Sequence, residues 1–375
     1  MANKKSRNVS VIEELSRGFT QRDVPEAYMD DPDLRRAYGA YFGEVGLEKG
    51  AALSREIRNL RRPCFGGKDR LSMVDLGSGT GEFARGLSEG LLPEVAGGID
   101  LLCVDRSREA LKELSARWVR PAQISLRIRP CLLPDSDDLF DEVETVDVLS
   151  MANLLAENED RLSGFLDLLA GFLERLSPEG LMVLVEPADR LSSRALLGLG
   201  DRLLDLSPDL HILAPCPNDR RGPCPSLSSP DGWCHEDRPV TFSQSLTRTA
   251  ATLGHIKDSL KMTYLLLARP LPGTEEPGPP SLRLVSQLHK EKGLSWGIFC
   301  NGSSLVRLRL LNRYRNDGTR AFARLRRGES ILDPGLSSLG SGGPPESFVD
   351  WPAGSSLVGW LRSDGTPWDL SREEE

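Results

Sequence analysis

The chain has 375 residues and a formal net charge of −8; hydrophobic residues make up 39% and charged residues 27%. This length is enough for about two domains, and the composition excludes a wholly disordered or fibrous protein. No run approaches the roughly 18 apolar residues of a transmembrane helix. No apolar segment follows the basic start at Met1–Arg7. We therefore expect a cytoplasmic protein with no secretion signal and no membrane partner.

Composition and hydrophobic periodicity predict four regions. Residues 1–66 show apolar side chains at helical spacing, and residues 67–270 alternate short apolar runs with longer amphipathic ones. An irregular insert rich in Pro, Cys, Asp and Ser interrupts the second region at residues 205–240. A Pro/Gly linker then precedes short β runs with two turn signals, which predict a small antiparallel β module at residues 281–330. Residues 331–375, which end in three glutamates, are expected to form a loosely ordered acidic tail from which Trp351, Trp360 or Trp368 could dock on the folded protein.

The second region has the pattern of an α/β domain. The stretch Glu159–Leu176 carries apolar residues at helical spacing between two apolar runs. Strands that alternate with helices predict a parallel, Rossmann-like sheet with helices on both faces. The runs predicted as strands are Ser72–Leu76, Ile99–Val104, Ile124–Ile128, Val146–Met151 and Leu181–Val185, with His255–Lys261 and Met262–Ala268 after the insert.

A glycine-rich loop follows the first predicted strand and opens a helix. Its sequence is DLGSGTG at residues 75–81, and the next apolar run ends in a second acid, Asp105. The G-x-G-x-G spacing differs from the dinucleotide fingerprint and resembles the first motif of class I S-adenosylmethionine-dependent methyltransferases. In that family the loop approaches the methionine part of the cofactor and the acid holds the ribose. The cofactor-binding residues predicted in this way are Asp75, Gly77, Ser78, Gly79, Gly81 and Asp105.

The sequence carries no motif for a methyl acceptor. After the fourth predicted strand it reads SMANLL at residues 150–155, without the Asn/Asp-Pro-Pro-aromatic signature of exocyclic-amine methylation. Cys131 lacks the context of a nucleophilic cysteine. Because methyl transfer can depend largely on positioning of the reactants, catalytic residues are not assigned and enzymatic activity is left open.

Three of the seven cysteines lie in the irregular insert. Cys216, Cys224 and Cys234 have the spacing C-x7-C-x9-C, and prolines flank the first two. A zinc ribbon would need paired C-x2-C knuckles, whereas irregular loops that supply thiolates suit an iron–sulfur cluster at least as well. An odd cysteine count without a secretion signal makes a disulfide framework unexpected.

A cluster of the common types needs a fourth ligand. Cys300 is the best candidate, because it directly precedes the Asn301-Gly302 turn signal and is expected to be exposed and held rigidly at a hairpin tip. His235, next to Cys234, is the alternative fourth ligand. Three alternatives stay open for the same cysteines: a zinc site, a set of free loop thiols, and a Cys300 that is a buried core residue.

The β module is basic although the whole chain is acidic. Residues 281–330 contain 11 Arg and Lys against 3 Asp and Glu, a balance of +8 that leaves −16 for the rest of the chain. Arginine suits phosphate recognition, and the interleaved Tyr314 and Phe322 could stack on unpaired bases. Strand alternation would place the first four arginines on one face if their strand is unbroken. The residues predicted to bind RNA are Arg307, Arg309, Arg313, Arg315, Arg320, Arg324, Arg326 and Arg327.

Taken together, these motifs resemble the Rsm-type methyltransferase-like family over roughly residues 30–328. The resemblance is carried by the glycine loop, by Ala-Pro-Cys-Pro at 214–217, Cys-Pro at 224–225 and Trp-Cys-His at 233–235, and by the basic module. Members are small-ribosomal-subunit assembly factors of mitochondria and their bacterial relatives. This chain departs from the family pattern at three places. It has Asn218 where the family usually has His, and Glu236 where the family usually has an aromatic residue. It has Arg-Gly-Glu at 327–329 where the family normally has Trp-Gly-Asp.

The resemblance implies a protein of ribosome biogenesis that binds S-adenosylmethionine and a [4Fe–4S] cluster and contacts small-subunit rRNA in the assembling subunit. By motif match, the cluster ligands are Cys216, Cys224, Cys234 and Cys300. Two alternatives remain open. One is a catalytically active rRNA methyltransferase with the same parts; the other is a zinc-stapled small-molecule methyltransferase whose basic module is only solvated surface.

Overall fold

The structure is a computed structural model of the chain. It describes residues 7–25, 27–60, 65, 67–135, 137–270, 281–333, 348–353, 357, 360–363 and 366. The predicted linker after Pro270 and the terminal glutamates lie outside these residues. Within the described ranges, no helix combines the length and the apolarity needed to cross a bilayer.

Helices and strands alternate through the middle of the chain, as the hydrophobic pattern predicts. The α-helices of the described residues are α1 (Arg7–Gln21), α2 (Pro32–Tyr38), α3 (Glu44–Asn59), α4 (Glu82–Leu91), α5 (Arg108–Arg117), α6 (Leu162–Arg175), α7 (Arg190–Leu206) and α8 (Gln244–Thr252). The strands are β1 (Arg70–Leu76), β2 (Gly98–Asp105), β3 (Ile124–Pro130), β4 (Val146–Ala152), β5 (Leu176–Glu186), β6 (His211–Ala214), β7 (Glu236–Pro239), β8 (Ser259–Ala268), β9 (Ser281–Leu284), β10 (His289–Glu291), β11 (Leu294–Cys300), β12 (Leu305–Leu311), β13 (Ser330–Leu332), β14 (Val349–Asp350) and β15 (Trp360–Leu361).

The chain forms two compact units. The first unit comprises Met1–Arg58, Pro63–Glu186 and Pro239–Leu260; the second comprises Asn59–Arg62, Pro187–Arg238 and Lys261–Glu375. The cysteine-rich insert and the basic β module therefore belong to the same unit.

The first unit contains a parallel sheet. Its strands have the order β3-β2-β1-β4-β5, and every neighbouring pair is parallel. β1, β4 and β5 are buried along most of their length, as expected for a parallel sheet covered on both faces. The strand order reverses next to β1, which is the switch point where doubly wound sheets bind ligands. The predicted Rossmann-like α/β fold is confirmed.

The N-terminal helices share an apolar core with α8. Ile12 of α1, Tyr41 beside α2 and Leu246 of α8 are all buried in this core. A π-helical turn, Gly39–Gly43, joins α2 to α3. Asp31 caps α2 by accepting the backbone N–H groups of Asp33 and Leu34, which fixes where this helix begins.

The second unit contains α7 and two groups of strands. β6 pairs antiparallel with β8, and β7 also pairs with β8. The other strands form a sheet of order β14-β12-β11-β9-β13-β15, with β10 on β11. The pairs β9–β11, β11–β12 and β9–β13 are antiparallel, as predicted for the β module, whereas β14 is parallel to β12.

The structure corrects several local predictions. The apolar sequence after the insert forms one strand from Ser259, and not a strand over His255–Lys261. The Asn316 turn signal begins a 3-10 helix, Asp317–Arg324, which a capping box of Asn316 and Thr319 starts. Trp351 does dock, as the sequence allowed, because it is 2% exposed in the apolar core formed with β9, β11 and β12.

Candidate cofactor pocket and cysteine site

A pocket lies at the carboxyl ends of β1, β2 and β4 in the first unit. Five of the six predicted cofactor residues line it, namely Asp75, Gly77, Ser78, Gly79 and Asp105. The sixth, Gly81, does not line the pocket and precedes α4. Its φ is 87°, and an added Cβ would lie 2.0 Å from Leu114 Cδ1, so the turn into α4 requires glycine there.

Asp105 shapes the glycine loop. Its Oδ2 accepts the backbone N–H of Gly79 at 2.7 Å, and its Oδ1 accepts that of Ser107 at 2.8 Å. Gly77 and Ser78 donate their N–H groups to the carbonyl oxygen of Val104, the residue before Asp105. The acid at the end of β2 therefore holds the loop in place in addition to lining the pocket.

Asp75 is the buried acid beneath the loop. It is 2% exposed, and Ser150 Oγ donates to its Oδ1. Burial raises the pKa of Asp75 to about 6, while the hydrogen bonds from Ser150 and Ser78 oppose that rise. This carboxyl therefore changes its charge within the ordinary range of biochemical buffers.

Side chains from the N-terminal helical region complete the pocket wall. Tyr28, Met29, Tyr38 and Phe42 line it, and Tyr28 Oη donates to Glu157 Oε1 at 3.1 Å. Sequence reasoning did not assign these residues to the site. Helical spacing marks Tyr38 and Phe42 as apolar positions only, and Tyr28 and Met29 lie in a turn before α2. Their place at the pocket depends on contacts between segments distant in the chain.

A buried glutamate supports the loop that follows β4. Glu186 is fully buried and accepts the backbone N–H groups of Leu154, Leu155 and Ala156. Burial raises the pKa of Glu186 to about 7. Glu186 is the last residue of β5, and its contact with the loop after β4 is decided by the tertiary structure.

The four predicted cluster cysteines meet in the second unit. Cys216, Cys224, Cys234 and Cys300 line one cavity, together with His235. Cys300 is 7% exposed, so the prediction of an exposed thiol is wrong. The reason is that the hairpin turn packs on the insert, where an added Cβ at Gly302 would lie 2.6 Å from the carbonyl oxygen of Pro217.

Asn218 ties the insert to the β module. Its Nδ2 donates to the carbonyl oxygens of Ser281 and Asn301, and its Oδ1 accepts the N–H of Ser281. On the other side of the insert, Arg194 of α7 donates to the carbonyl oxygens of Ser229 and Gly232. Asn218 therefore connects the turn after Cys300 to the insert.

Cys224 and Cys300 are buried, whereas Cys216 and Cys234 are partly exposed. Burial raises the pKa of Cys224 to about 11 and that of Cys300 to about 12, and the Cys216 thiol adds to both shifts. Burial also raises the pKa of Cys234 well above its usual value, with Cys224, Cys216 and Cys300 adding to the rise. The Cys216 thiol therefore contributes to the raised pKa of all three other thiols, as expected if the four line one cavity.

Among the described residues, no group of three or more His, Cys, Asp or Glu side chains could hold a metal ion. Four thiols nevertheless line one cavity, and four thiolates are the ligand set that a [4Fe–4S] cluster takes.

Fewer arginines share one face of a β-strand than the four that strand alternation predicted. β12 ends at Leu311, so only Arg307 and Arg309 share its outer face, and a 3-10 helix follows. Arg307 lies over the rings of Trp296 and Phe348. The prediction of Phe322 as a stacking residue is wrong, because its side chain is fully buried.

The other predicted RNA-binding arginines lie beyond β12. Arg313 lies over the ring of Tyr314, and Arg327 Nη1 is 3.3 Å from His235 Nδ1, beside the cysteine cavity. The exposed members of the set are Arg313, Arg315, Arg320, Arg324 and Arg326.

No protein-family model matches the sequence, and no curated protein matches it. Among solved structures, the chain is similar to the plantazolicin methyltransferase BpumL in complex with SAH, at 15% identity over 70% of this chain and 100% of that chain, with a TM-score of 0.37. It is similar to the precorrin-6y C5,15-methyltransferase from Geobacter metallireducens GS-15, at 14% identity over 57% and 86%, with a TM-score of 0.34. It is also similar to an rRNA methylase from Streptococcus thermophilus, at 13% identity over 60% and 95%, with a TM-score of 0.30.

Proposed function

We propose that this protein is an assembly factor of the small ribosomal subunit that binds S-adenosylmethionine and a [4Fe–4S] cluster and contacts small-subunit rRNA. The observation that carries the proposal is the meeting of Cys216, Cys224, Cys234 and Cys300 around one cavity. These are the cysteines that the family resemblance selects from seven in the chain.

The cluster would join parts of the second unit that are distant in sequence. Three of its ligands would come from the insert and the fourth, Cys300, from the end of β11. When bound, such a cluster supplies iron–thiolate bonds that act as a covalent crosslink between these segments. Two contacts hold these segments together: Asn218 of the insert donates to Asn301 of the β module, and Arg194 of α7 donates to Gly232 of the insert.

S-adenosylmethionine would occupy the pocket of the first unit. When bound, it supplies an electrophilic methyl group on a positively charged sulfur. Asp75 and Asp105 give this pocket anionic side chains, and the loop glycines let the backbone approach a ligand closely. An intact pocket of this kind also favours the second candidate function, an active rRNA methyltransferase.

Asp75 gives the proposed cofactor binding a pH dependence. With its pKa near 6, Asp75 is mostly neutral at pH 5 and ionised at pH 7. The ionised form attracts a cationic ligand, so the affinity for S-adenosylmethionine should rise about tenfold between pH 5 and pH 7. Calorimetric titrations in buffers of different ionisation enthalpy measure this rise and the protons that binding releases.

The matched controls for this pH dependence use the same chemical change at two sites. Asp75→Asn should reduce the dependence, and the part that remains should come from Glu157, which lines the same pocket and whose pKa burial raises to about 7. Asp167→Asn, at an exposed position of α6, should keep the full dependence. S-adenosylhomocysteine has an uncharged sulfur and should show a weaker dependence. A wild-type affinity that stays constant from pH 5 to pH 7 contradicts this role of Asp75.

The arginines of the β module are proposed to contact RNA phosphates. Replacing exposed Arg313 and Arg315 together by Gln removes two positive charges, so the slope of log affinity against log salt should fall by about 1.4 in magnitude for single-stranded RNA. Filter binding of transcribed small-subunit rRNA at several salt concentrations measures the slope. The double change of Arg55 and Arg58 to Gln, on exposed positions of α3, is the control; equal slopes in both variants argue against the module as the contact surface.

Co-sedimentation tests the proposed role in assembly. The tagged protein should migrate with precursors of the small subunit in sucrose gradients of growing cells, and its depletion should let those precursors accumulate. Transfer of a labelled methyl group from S-adenosylmethionine to the precursors would favour the active rRNA methyltransferase. Migration at the top of the gradient, with normal subunit profiles after depletion, would oppose both candidate functions.

A further inference from the structure

Arg220 is a buried cation in the wall of the cysteine cavity. Its side chain is 1% exposed, and it lines the cavity together with the four cysteines. Its Nη1 donates to Asp201 Oδ1 and to the carbonyl oxygen of Gly222, each at 2.6 Å. Its Nε and Nη2 are buried as well, and neither has a hydrogen-bond partner among the described residues.

Two unsatisfied donors on a buried guanidinium require an explanation. Leaving a buried polar group without a partner costs about 1–3 kcal/mol, and more for a charged group. Arg283, the other arginine of the cavity wall, forms an ion pair with Glu236, with Arg283 Nη2 2.8 Å from Glu236 Oε1. Arg220 lines the same cavity as the four thiols, where an anionic group with several acceptor atoms would satisfy its Nε and Nη2 donors.

Asp201 couples Arg220 to one of the proposed ligands. Its carboxylate accepts the backbone N–H of Cys224 at 2.9 Å from Oδ2 and 3.0 Å from Oδ1. The same Oδ1 accepts from Arg220. One carboxylate of α7 therefore fixes both the segment of Cys224 and the orientation of the guanidinium.

We propose that Arg220 is a positioning residue that donates hydrogen bonds to the sulfur atoms of the iron–sulfur cluster and raises the reduction potential of that cluster. The inference rests on the proposed cluster binding. The potential of such clusters depends on local charge and on hydrogen bonds to their sulfurs. A fixed positive charge stabilises the reduced form, which carries one more electron, so removal of the charge makes the potential more negative.

The test is a redox titration of anaerobically purified protein, followed by absorbance and by electron paramagnetic resonance of the reduced cluster. Arg220→Met should shift the reduction equilibrium about tenfold toward the oxidised cluster, which is about 59 mV for one electron. Arg220→Lys keeps the charge without the planar fork and should lie between Arg220→Met and wild type. Arg221→Met makes the same change at the neighbouring exposed position and should leave the potential unchanged.

The outcomes separate this inference from the proposed function. Wild-type protein without iron and sulfide defeats the cluster itself. A loaded cluster whose potential is the same in wild type and Arg220→Met overturns the role of Arg220 alone. If folded Arg220→Met fails to take up the cluster while Arg221→Met loads fully, the loss supports the positioning role. If Arg220→Met does not fold, the potential of Arg220→Lys decides, and a value equal to that of wild type overturns the inference.

Discussion

Anaerobically purified protein is expected to contain about four irons and four sulfides per chain, and Cys300→Ala is expected to lose most of them. Cys300 supplies the only proposed ligand outside the insert, so without it the β module no longer contributes to the cluster. The thermal unfolding midpoint of the variant should fall as well, because metal binding of this kind contributes directly to folding stability. Iron and sulfide analysis, an absorption spectrum and thermal melts measure these effects.

Cys103→Ala is the matched control for this loss. Cys103 is fully buried in β2 of the first unit and lies outside the cysteine cavity. Its replacement should leave the iron and sulfide content unchanged. Stoichiometric zinc without sulfide in wild-type protein would favour the zinc-stapled alternative. Full cluster content in Cys300→Ala would remove Cys300 from the ligand set.

Asp105→Ala is expected to weaken S-adenosylmethionine binding by about 10- to 100-fold. The variant loses the two acceptor atoms that hold the N–H groups of Gly79 and Ser107, as well as any contact with the ligand. One hydrogen bond to a charged group contributes about 1.5–3 kcal/mol, so the loss of one such bond to the ligand corresponds to about 10- to 100-fold in affinity. Isothermal titration calorimetry gives the affinity directly.

Asp100→Ala provides the comparison on the same strand. Asp100 is exposed and pairs with Arg70, an ion pair of a kind that contributes little to stability. The affinity of this variant should equal that of wild type. Asp105→Asn, which keeps one acceptor oxygen, should lie between the two. An unchanged affinity in Asp105→Ala would contradict the function assigned to the acid at the end of β2.

The sequence predicted the sheet because its signals are local. Strands β1, β2, β4 and β5 each contain a short apolar run, and the stretch that forms α6 between β4 and β5 has apolar residues at helical spacing. The predictions failed where a distant contact decides the outcome. The turn signal after Cys300 predicted an exposed residue at a hairpin tip. Cys300 is buried because Asn218 and Pro217 of the insert contact that turn.

The arginine-rich segment shows the same limit. Strand alternation predicted one face for four arginines, but β12 ends at Leu311 and the chain turns into 3-10 helices. Phe322 lies in the second of these 3-10 helices, and its side chain is buried in the core formed with β9, β11 and β12. Where a strand ends depends on the pairing of its neighbours, which periodicity within one segment does not report.

By itself, the sequence determined the Rossmann-like fold of the first unit, the position of its glycine loop, and the set of cysteines that could act together. These follow from local period, from the need for glycine at tight turns, and from motif spacing. Only the tertiary structure decided that the four cysteines share one cavity, that Tyr28 lines the cofactor pocket, and that Arg220 places unsatisfied donors beside the thiols. The physical reason is that burial and hydrogen bonding across distant segments are properties of the packed chain and leave no periodic signal in the sequence.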